Sequence, residues 1–324
     1  MKIKILSIEK YLPEKRVSSE ALDQTVRGSI GRIEKNTGVQ YRHHASSNET
    51  VVEMGARALT RALYSAHLNP EDLDLLIYAG GSFDYPIPHN SVLIKSKIAD
   101  DSVKFYCFDV DSTCLSFLNA LDIANLYLNA KRYKRSELSS TALTPNDEHV
   151  FGLFGDAAVA LILESNEESG CTFSYVGFVN YPSGAFYAHI PIGGAVNRGV
   201  KALSSDEGYY FKMNGKSLIK LTIEHLDAFI DEIEQGVNLK ITEFDHVITH
   251  QTSKFGNTYF KNKYLIDPSK VVETLAQYGN CVAASIPLGL EKLLNSGTNI
   301  TDKKVLLLGS GAGLSLGAIA LDFR

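Results

Sequence analysis

The chain reads as an α/β protein built from two duplicated halves, and three observations predict that architecture. Short apolar strands alternate with helical stretches along the whole length. Three elements occur twice in the same order, and the polar run Glu164-Ser-Asn-Glu-Glu-Ser-Gly lies between the two sets. Repeated strand–helix units of this size fuse into layers, because each unit has an apolar face that must be buried. The boundary is expected near residue 170, giving halves 1–170 and 171–324.

The first strand is Lys2-Ile-Lys-Ile-Leu-Ser-Ile, followed at once by polar sequence, which does not fit a signal peptide. Glu49-Thr-Val-Val-Glu-Met-Gly-Ala-Arg-Ala-Leu-Thr-Arg-Ala-Leu has the apolar spacing of an amphipathic helix, and Asn69-Pro-Glu-Asp ends it. Next comes Leu73-Asp-Leu-Leu-Ile-Tyr-Ala-Gly-Gly-Ser, a short strand whose counterpart is Phe244-Asp-His-Val-Ile-Thr-His-Gln-Thr-Ser. The strand-like Lys104-Phe-Tyr-Cys-Phe-Asp-Val leads into Ser112-Thr-Cys114-Leu, and Gly279-Asn-Cys281-Val repeats that helix opening. Phe154-Gly-Asp-Ala-Ala-Val-Ala-Leu-Ile-Leu and the closing Gly311-Ala-Gly-Leu-Ser-Leu-Gly-Ala-Ile-Ala-Leu are the third pair, each a turn feeding a small-residue strand. Residues 173–211 lack periodicity and read as loops and edge structure. Ser217 to Ile233 reads as a helix, apolar at Leu218, Leu221, Ile223, Leu226 and Ile230.

With 324 residues, 44% of them hydrophobic, the chain can bury a large core, and its net charge of −5 gives no support to a nucleic-acid reader. Its apolar runs are too short to span a membrane. Cys107, Cys114, Cys171 and Cys281 show no zinc spacing, and a chain this long needs no disulfide staples. A reduced, cytoplasmic protein is the expectation. No His, Cys, Asp or Glu spacing argues for a metal.

Cys114 falls where a strand ends and a helix begins. Free backbone N–H groups and the helix dipole there are expected to favour thiolate and to polarise a thioester carbonyl. By position alone a small core residue is the commoner reading, and the other candidates shift it towards catalysis. His250 ends a strand, where open α/β sheets place active residues, although a buried histidine bonded to the backbone has the same address. Asn280 precedes a helix and reads either as an N-cap or as a donor. The repeat aligns it with Thr113, which brings both helix mouths towards one cavity. Gly309-Ser-Gly-Ala-Gly resembles a phosphate loop only superficially, since no helix or acidic ribose partner follows. Its better use is close approach, with an amide at Ala312 completing an oxyanion hole. Glu49 and Asp156 read as structural.

Together these segments resemble β-ketoacyl-acyl-carrier-protein synthase III, a family of thiolase-like condensing enzymes. The resemblance rests on Tyr11-Leu-Pro, Asn36-Thr-Gly-Val-Gln-Tyr-Arg42-His, Asn48-Glu-Thr-Val, Asp109-Val-Asp-Ser-Thr-Cys114, Leu153-Phe-Gly-Asp156, His250-Gln and Gly279-Asn280. It implies a five-layer αβαβα fold, a homodimer, and catalysis by Cys114, His250 and Asn280. It further implies amides of Cys114 and Ala312 as the oxyanion hole. The substrates would be thioesters of coenzyme A or an acyl carrier protein, with no bound cofactor. The implied reaction is decarboxylative condensation of a Cys-bound acyl group with a malonyl-carrier thioester, in fatty acid or polyketide synthesis.

The chain departs from the family at several places. Arg32 stands where a tryptophan is usual, Glu148 where an arginine holds the nucleotide, and Lys216 where an asparagine meets pantetheine. His250-Gln-Thr-Ser253 replaces His-Gln-Ala-Asn. A longer, carrier-bound acyl donor is therefore as well supported as acetyl-coenzyme A. The central strand expected between Lys131 and Phe151 is unusually polar. Lys212, Lys216, Lys220 and Lys254 offer a basic surface for an acidic carrier, while Lys131, Arg132, Lys134 and Arg135 form a second basic patch. Acyl transfer to an oxygen or nitrogen nucleophile, hydrolysis of the acyl group, and a non-catalytic partner subunit remain as alternatives.

Overall fold

The computed structural model describes residues 2–25, 31–133, 135–142, 152–191 and 211–324. The first half runs β1 (Lys2–Tyr11), β2 (Lys15–Ser18), α1 (Ser19–Thr25), α2 (Arg32–Thr37), β3 (Tyr41–His44) and α3 (Val51–Ala66). It continues with β4 (Leu75–Ala79), α4 (Asn90–Ile98), β5 (Tyr106–Val110), α5 (Ser116–Asn129), β6 (Arg135–Ala142) and β7 (Ala157–Asn166). Then come β8 (Thr172–Asn180), β9 (Ala188–His189), β10 (Lys212–Met213), α6 (Gly215–Val237) and β11 (His246–Thr249). The chain closes with α7 (Lys254–Lys263), α8 (Leu275–Tyr278), α9 (Ser285–Leu294), β12 (Lys304–Gly311) and β13 (Ser315–Asp322).

Two sheets carry the fold, one ordered β1-β7-β6-β4-β5 and the other β11-β12-β13-β8. Their pairing senses match. β1–β7 and β7–β6 are antiparallel, as are β8–β13 and β13–β12. β6–β4 and β4–β5 are parallel, as is β12–β11, and a parallel bridge from Val247 to Val271 takes the place of the fifth strand. The repeated sequence elements therefore fold into a repeated sheet.

The layers follow from alternation along the strands. In β4, Leu75 and Ile77 face the middle layer with α5 and α9, whereas Leu76 and Tyr78 face α3 and α4. In β12, Val305 and Leu307 join the middle layer, and Leu306 and Leu308 face α6 and α7. The result is five layers, αβαβα, with α5 and α9 sandwiched between the sheets. α9 is buried along most of its length, whereas α5 buries Phe117, Leu118, Leu121, Ala124 and Leu128 and carries Asn119, Asp122, Asn125 and Asn129 along one less buried face. Outside, α3 begins at Thr50, whose side chain accepts from Glu53 N–H, and the Asp84 carboxylate takes the N–H groups of Val51 and Val52 at 2.9 and 3.1 Å.

Two segments take definite form. Part of 173–211 is β8, a nine-residue strand on the outer edge of the second sheet. Its Phe173, Val176 and Phe178 pack inward while Tyr175 and Val179 pack outward, and a register shift opposite Ala320/Leu321 breaks the simple period. The polar segment Arg135–Ala142 is a full strand between β4 and β7, so backbone pairing places it where side-chain character does not announce it. Residues 143–151, the remainder of that segment, lie outside the described residues. Among the described residues no helix is long and apolar enough to cross a membrane.

Candidate active site

Cys114 lies in a single 3₁₀ turn, Thr113–Leu115, between β5 and α5. That turn is built by its own side chains. Asp111 Oδ1 accepts Thr113 N–H at 2.9 Å, Ser116 Oγ accepts Ser112 N–H at 2.9 Å, and Thr113 takes φ of +51°. The second half repeats this construction before α9. Asn280 Oδ1 accepts Val282 N–H at 2.9 Å, Ser285 Oγ accepts Cys281 N–H at 3.0 Å, and Val282 has φ of +50°. The mate of Asn280 is therefore Asp111, and the mate of Thr113 is Val282. The sequence alignment of Asn280 with Thr113 was two residues out, because only the turn geometry fixes the register. Asn280 is accordingly neither a plain N-cap nor free to rotate. With Oδ1 committed to Val282, its Nδ2 is the donor left for the cavity it lines.

Further contacts fix Asn280 by its backbone. Its N–H donates to Leu153 O at 2.9 Å, and its carbonyl accepts Gly155 N–H at 3.1 Å. Gly155 is required here, since a Cβ would lie 2.1 Å from Tyr278 O and 3.1 Å from Arg42 Cβ. Arg42, fully buried, donates to Ser19 Oγ at 2.7 Å and Gly152 O at 2.8 Å, and burial pulls its pKa down to about 10. Asp156 accepts Ala45 N–H at 2.8 Å. Burial raises the Glu49 pKa, but hydrogen bonds from Ser46, Tyr11 and Glu14 outweigh it and hold that carboxyl at about 2. Glu49 and Asp156 therefore act as braces for chain segments.

His250 follows β11, and its N–H donates to Leu308 O at 2.8 Å. The ring is buried and its Nδ1 has no hydrogen-bond partner among the described residues. Burial pushes its pKa down to about 4, so the imidazole is neutral at physiological pH. Gln251, which the motif contained but whose role spacing could not show, ties this strand end to its surroundings. Its Nε2 donates to Thr249 O at 2.9 Å, and its Oε1 accepts Asn257 Nδ2 and the N–H groups of Thr274 and Leu275 at 3.1–3.2 Å.

Cys114, His250 and Asn280 line one cavity of about 540 Å³, together with Gly309–Gly311 at the end of β12 and Ala312 after it. Gly309 lets its walls close. A Cβ there would meet Leu115 Cδ2 at 2.7 Å, Ile286 Cδ1 at 3.0 Å and His250 Cβ at 3.5 Å. Backbone amides of Ala312 and of Cys114 itself reach the sulfur. These are the two groups expected to hold an oxyanion. They do not make the thiol acidic, however: burial outweighs their effect and pushes the Cys114 pKa up to about 11. The expectation of a helix-stabilised thiolate is thus reversed, since desolvation costs the anion more than two amides and a 3₁₀ turn return. All four cysteines are free.

The four lysines lie near the cavity mouth. Lys212 is on β10, Lys216 and Lys220 are on α6, and Lys254 begins α7. All four are exposed, and their neighbours Met213, Gly215 and Phe255 line the cavity. Lys261 and Lys263 instead pair with Glu273 and Asp227 at 2.8 and 2.7 Å. Arg32 is exposed on α2, and Glu148 lies outside the described residues.

A cysteine between two backbone amides, with neutral imidazole and carboxamide donors in one cavity of a duplicated αβαβα fold, defines a thiolase-like acyl-transfer enzyme. Known proteins agree. The family model described as 3-oxoacyl-[acyl-carrier-protein] synthase III matches residues 108–179, and that family's C-terminal model matches 235–323. A β-ketoacyl-[acyl-carrier-protein] synthase III of Neisseria gonorrhoeae is 30% identical, the alignment covering 99% of both chains. That of Clostridium acetobutylicum is 28% identical over 99% of this chain and 98% of its own. The crystal structure of the Aquifex aeolicus synthase III superposes with a TM-score of 0.86 at 26% identity, covering 99% of this chain and 100% of that one. This chain belongs to the β-ketoacyl-acyl-carrier-protein synthase III family.

Proposed function

We propose that the chain forms a carbon–carbon bond by decarboxylative condensation, with Cys114, His250 and Asn280 as the catalytic residues. The observation that carries this reading is their convergence on one cavity beside the amides of Cys114 and Ala312. The Cys114 thiol attacks an acyl thioester, the acyl group passes to sulfur, and the thiol proton leaves with the departing carrier thiol. Because the resting thiol is protonated and His250 neutral, the nucleophile is generated as the substrate arrives, not stored as an ion pair. A malonyl-carrier thioester then loses CO₂, and the resulting enolate accepts hydrogen bonds from neutral His250 and from Asn280 Nδ2. Its carbon attacks the acyl carbonyl, whose oxygen is held by the two amides. Cys114 leaves and regains a proton, releasing a β-ketoacyl thioester.

In this reading an acyl carrier protein docks by Lys212, Lys216, Lys220 and Lys254, none of which makes an ion pair among the described residues. The working enzyme is a cytoplasmic homodimer of chains divided near residue 170. Exposed Phe83, Tyr85 and Ile87, on the loop after Gly81 and Ser82 of the cavity wall, support a partner surface beside the site. The test is intact-protein mass after exposure to acyl thioesters, with Cys114→Ala alongside, followed by CO₂ release from a malonyl-carrier thioester. One acyl adduct on the native chain only, then CO₂ release with a condensed product, is expected. An adduct on both proteins sinks the nucleophile assignment. An adduct without CO₂ release redirects the reading to oxygen or nitrogen acceptors.

A further inference from the structure

We propose that Asp111 determines which thioesters load the enzyme: its carboxylate, in the cavity wall with Cys114, admits neutral acyl groups and turns away those of dicarboxylic acids. The inference rests on the acyl-enzyme reading above and assigns its donor class. The duplication points to it. In the second half, Asn280 closes the turn before α9 with Oδ1 and keeps Nδ2 for the cavity it lines. In the first half, Asp111 closes the matching turn before α5 with Oδ1, at the same 2.9 Å, and lines the same cavity. Its Oδ2 therefore corresponds to Asn280 Nδ2. One helix mouth offers a donor, the other an acceptor with a full charge.

That charge is uncompensated. Among the described lining residues Asp111 is the one carboxylate, and no lysine or arginine lines the space. Asp111 makes no ion pair among the described residues. Gly81, also in the wall, keeps one side of the carboxylate clear. A Cβ there would lie 3.2 Å from Asp111 Oδ1 and 3.6 Å from Thr113 Cα. The field of the carboxylate reaches the sulfur: burial is the main cause of the raised Cys114 pKa, and Asp111 adds to it. Asp111 itself is exposed, so water screens part of its effect.

Charge is what separates the two substrates of the proposed condensation. The acyl donor ends in a neutral group, whereas the malonyl thioester ends in a carboxylate. Both bring the same thioester to the same thiol. In loading, the C–S bond to the carrier breaks as the bond to Cys114 forms, and the thiol proton goes to the carrier thiol. The acyl tail then lies beside the sulfur, and a carboxylate on that tail falls within reach of Asp111. Malonyl transfer to Cys114 would occupy the nucleophile with the group meant to attack its acyl ester. An unpaired like charge rejects such a partner where attraction alone does not tell the two apart. Two charges about 6 Å apart, at an effective dielectric constant of about 40, give about tenfold discrimination. In the condensation step the repulsion is relieved, since the carboxylate leaves as neutral CO₂.

Two alkylating reagents test the charge without acyl chemistry. Iodoacetamide and iodoacetate both form a thioether on Cys114 and release iodide, but the second is an anion. With peptide mass reading the site, native Cys114 should prefer the neutral reagent about tenfold more than 2-mercaptoethanol does. Asp111→Asn keeps the turn closed, as Asn280 shows in its mate, and should erase that preference. Taking the ratio cancels any change in the thiol's own reactivity. Intact mass then compares succinyl- and butyryl-N-acetylcysteamine as donors, so that carrier recognition does not enter. The variant should raise the succinyl-to-butyryl loading ratio about tenfold. Added salt should narrow both preferences in the native chain, and Asp111→Glu, which keeps the charge, should retain them. A native reagent ratio equal to that of 2-mercaptoethanol, or ratios that Asp111→Asn leaves unmoved, overturns the charge filter while leaving the acyl-enzyme intact. No adduct from either thioester refutes the acyl-enzyme reading itself, and the selection of donors with it.

Discussion

Replacing Asn280 by aspartate separates its two jobs. Oδ1 accepts Val282 N–H at 2.9 Å and holds the turn, while Nδ2 is the donor assigned to the enolate. Aspartate keeps the first and removes the second. The protein already demonstrates the fit, because Asp111 accepts Thr113 N–H at the same 2.9 Å in the matching turn. Loss of one oxyanion donor costs about 3–4 kcal/mol in the transition state, or 10²–10³ in rate. A carboxylate about 4 Å from the enolate adds repulsion of about 4 kcal/mol at an effective dielectric constant near 20. Condensation should therefore fall by at least roughly 10³, and acyl loading of Cys114 far less, since loading uses the amides of Cys114 and Ala312. The assay pairs CO₂ release from malonyl-carrier thioester with intact-mass loading, and thermal melting reports the turn. Asn280→Ala, which also orphans the Val282 amide, should lose about 1–3 kcal/mol of stability that the aspartate variant keeps. Condensation by the aspartate variant within roughly tenfold of the native rate, or equal losses in loading and condensation, would refute the assignment.

Further outcomes follow from the same site. With its thiol near pKa 11, Cys114 should be alkylated by iodoacetamide slowly at neutral pH and about tenfold faster per pH unit through pH 9; a pH-independent rate would reveal a preformed thiolate. His250, held neutral to about pH 4 by burial, binds a proton in the unfolded chain near pH 6.5 but not in the folded one. Acidification through that window should cost about 2 kcal/mol by pH 5, and urea midpoints for His250→Gln should show a shallower acid loss; parallel slopes would contradict the buried neutral ring. Gly309→Ala drives a methyl against Leu115, Ile286 and His250, and should cost about 1–3 kcal/mol with a matching fall in condensation. An unchanged melting temperature and rate would mean that the walls have room to spare.

Local sequence carried a large part of this protein. The unbroken apolar runs Leu75–Ala79 and Val305–Leu308 mark strands buried on both faces, and the order of the duplicated elements foretells the duplicated sheet. The three catalytic candidates stand at strand ends and helix mouths, positions that punctuation and residue type reveal. What sequence could not decide depends on contacts distant along the chain. The thiol pKa goes up and not down because desolvation is set by everything packed around Cys114, which no neighbouring residue encodes. Asp111 emerges as the mate of Asn280 only once both turns show the same positive φ and the same serine bond. Gln251 joins partners 23 and 24 residues away, Thr274 and Leu275, so its motif alone says nothing of its task. Asp111 is, by sequence, one more acid before a helix. Whether such a carboxylate meets only water or also the nucleophile's cavity depends on how the two helix mouths come together, an arrangement set by tertiary packing and not by any local preference.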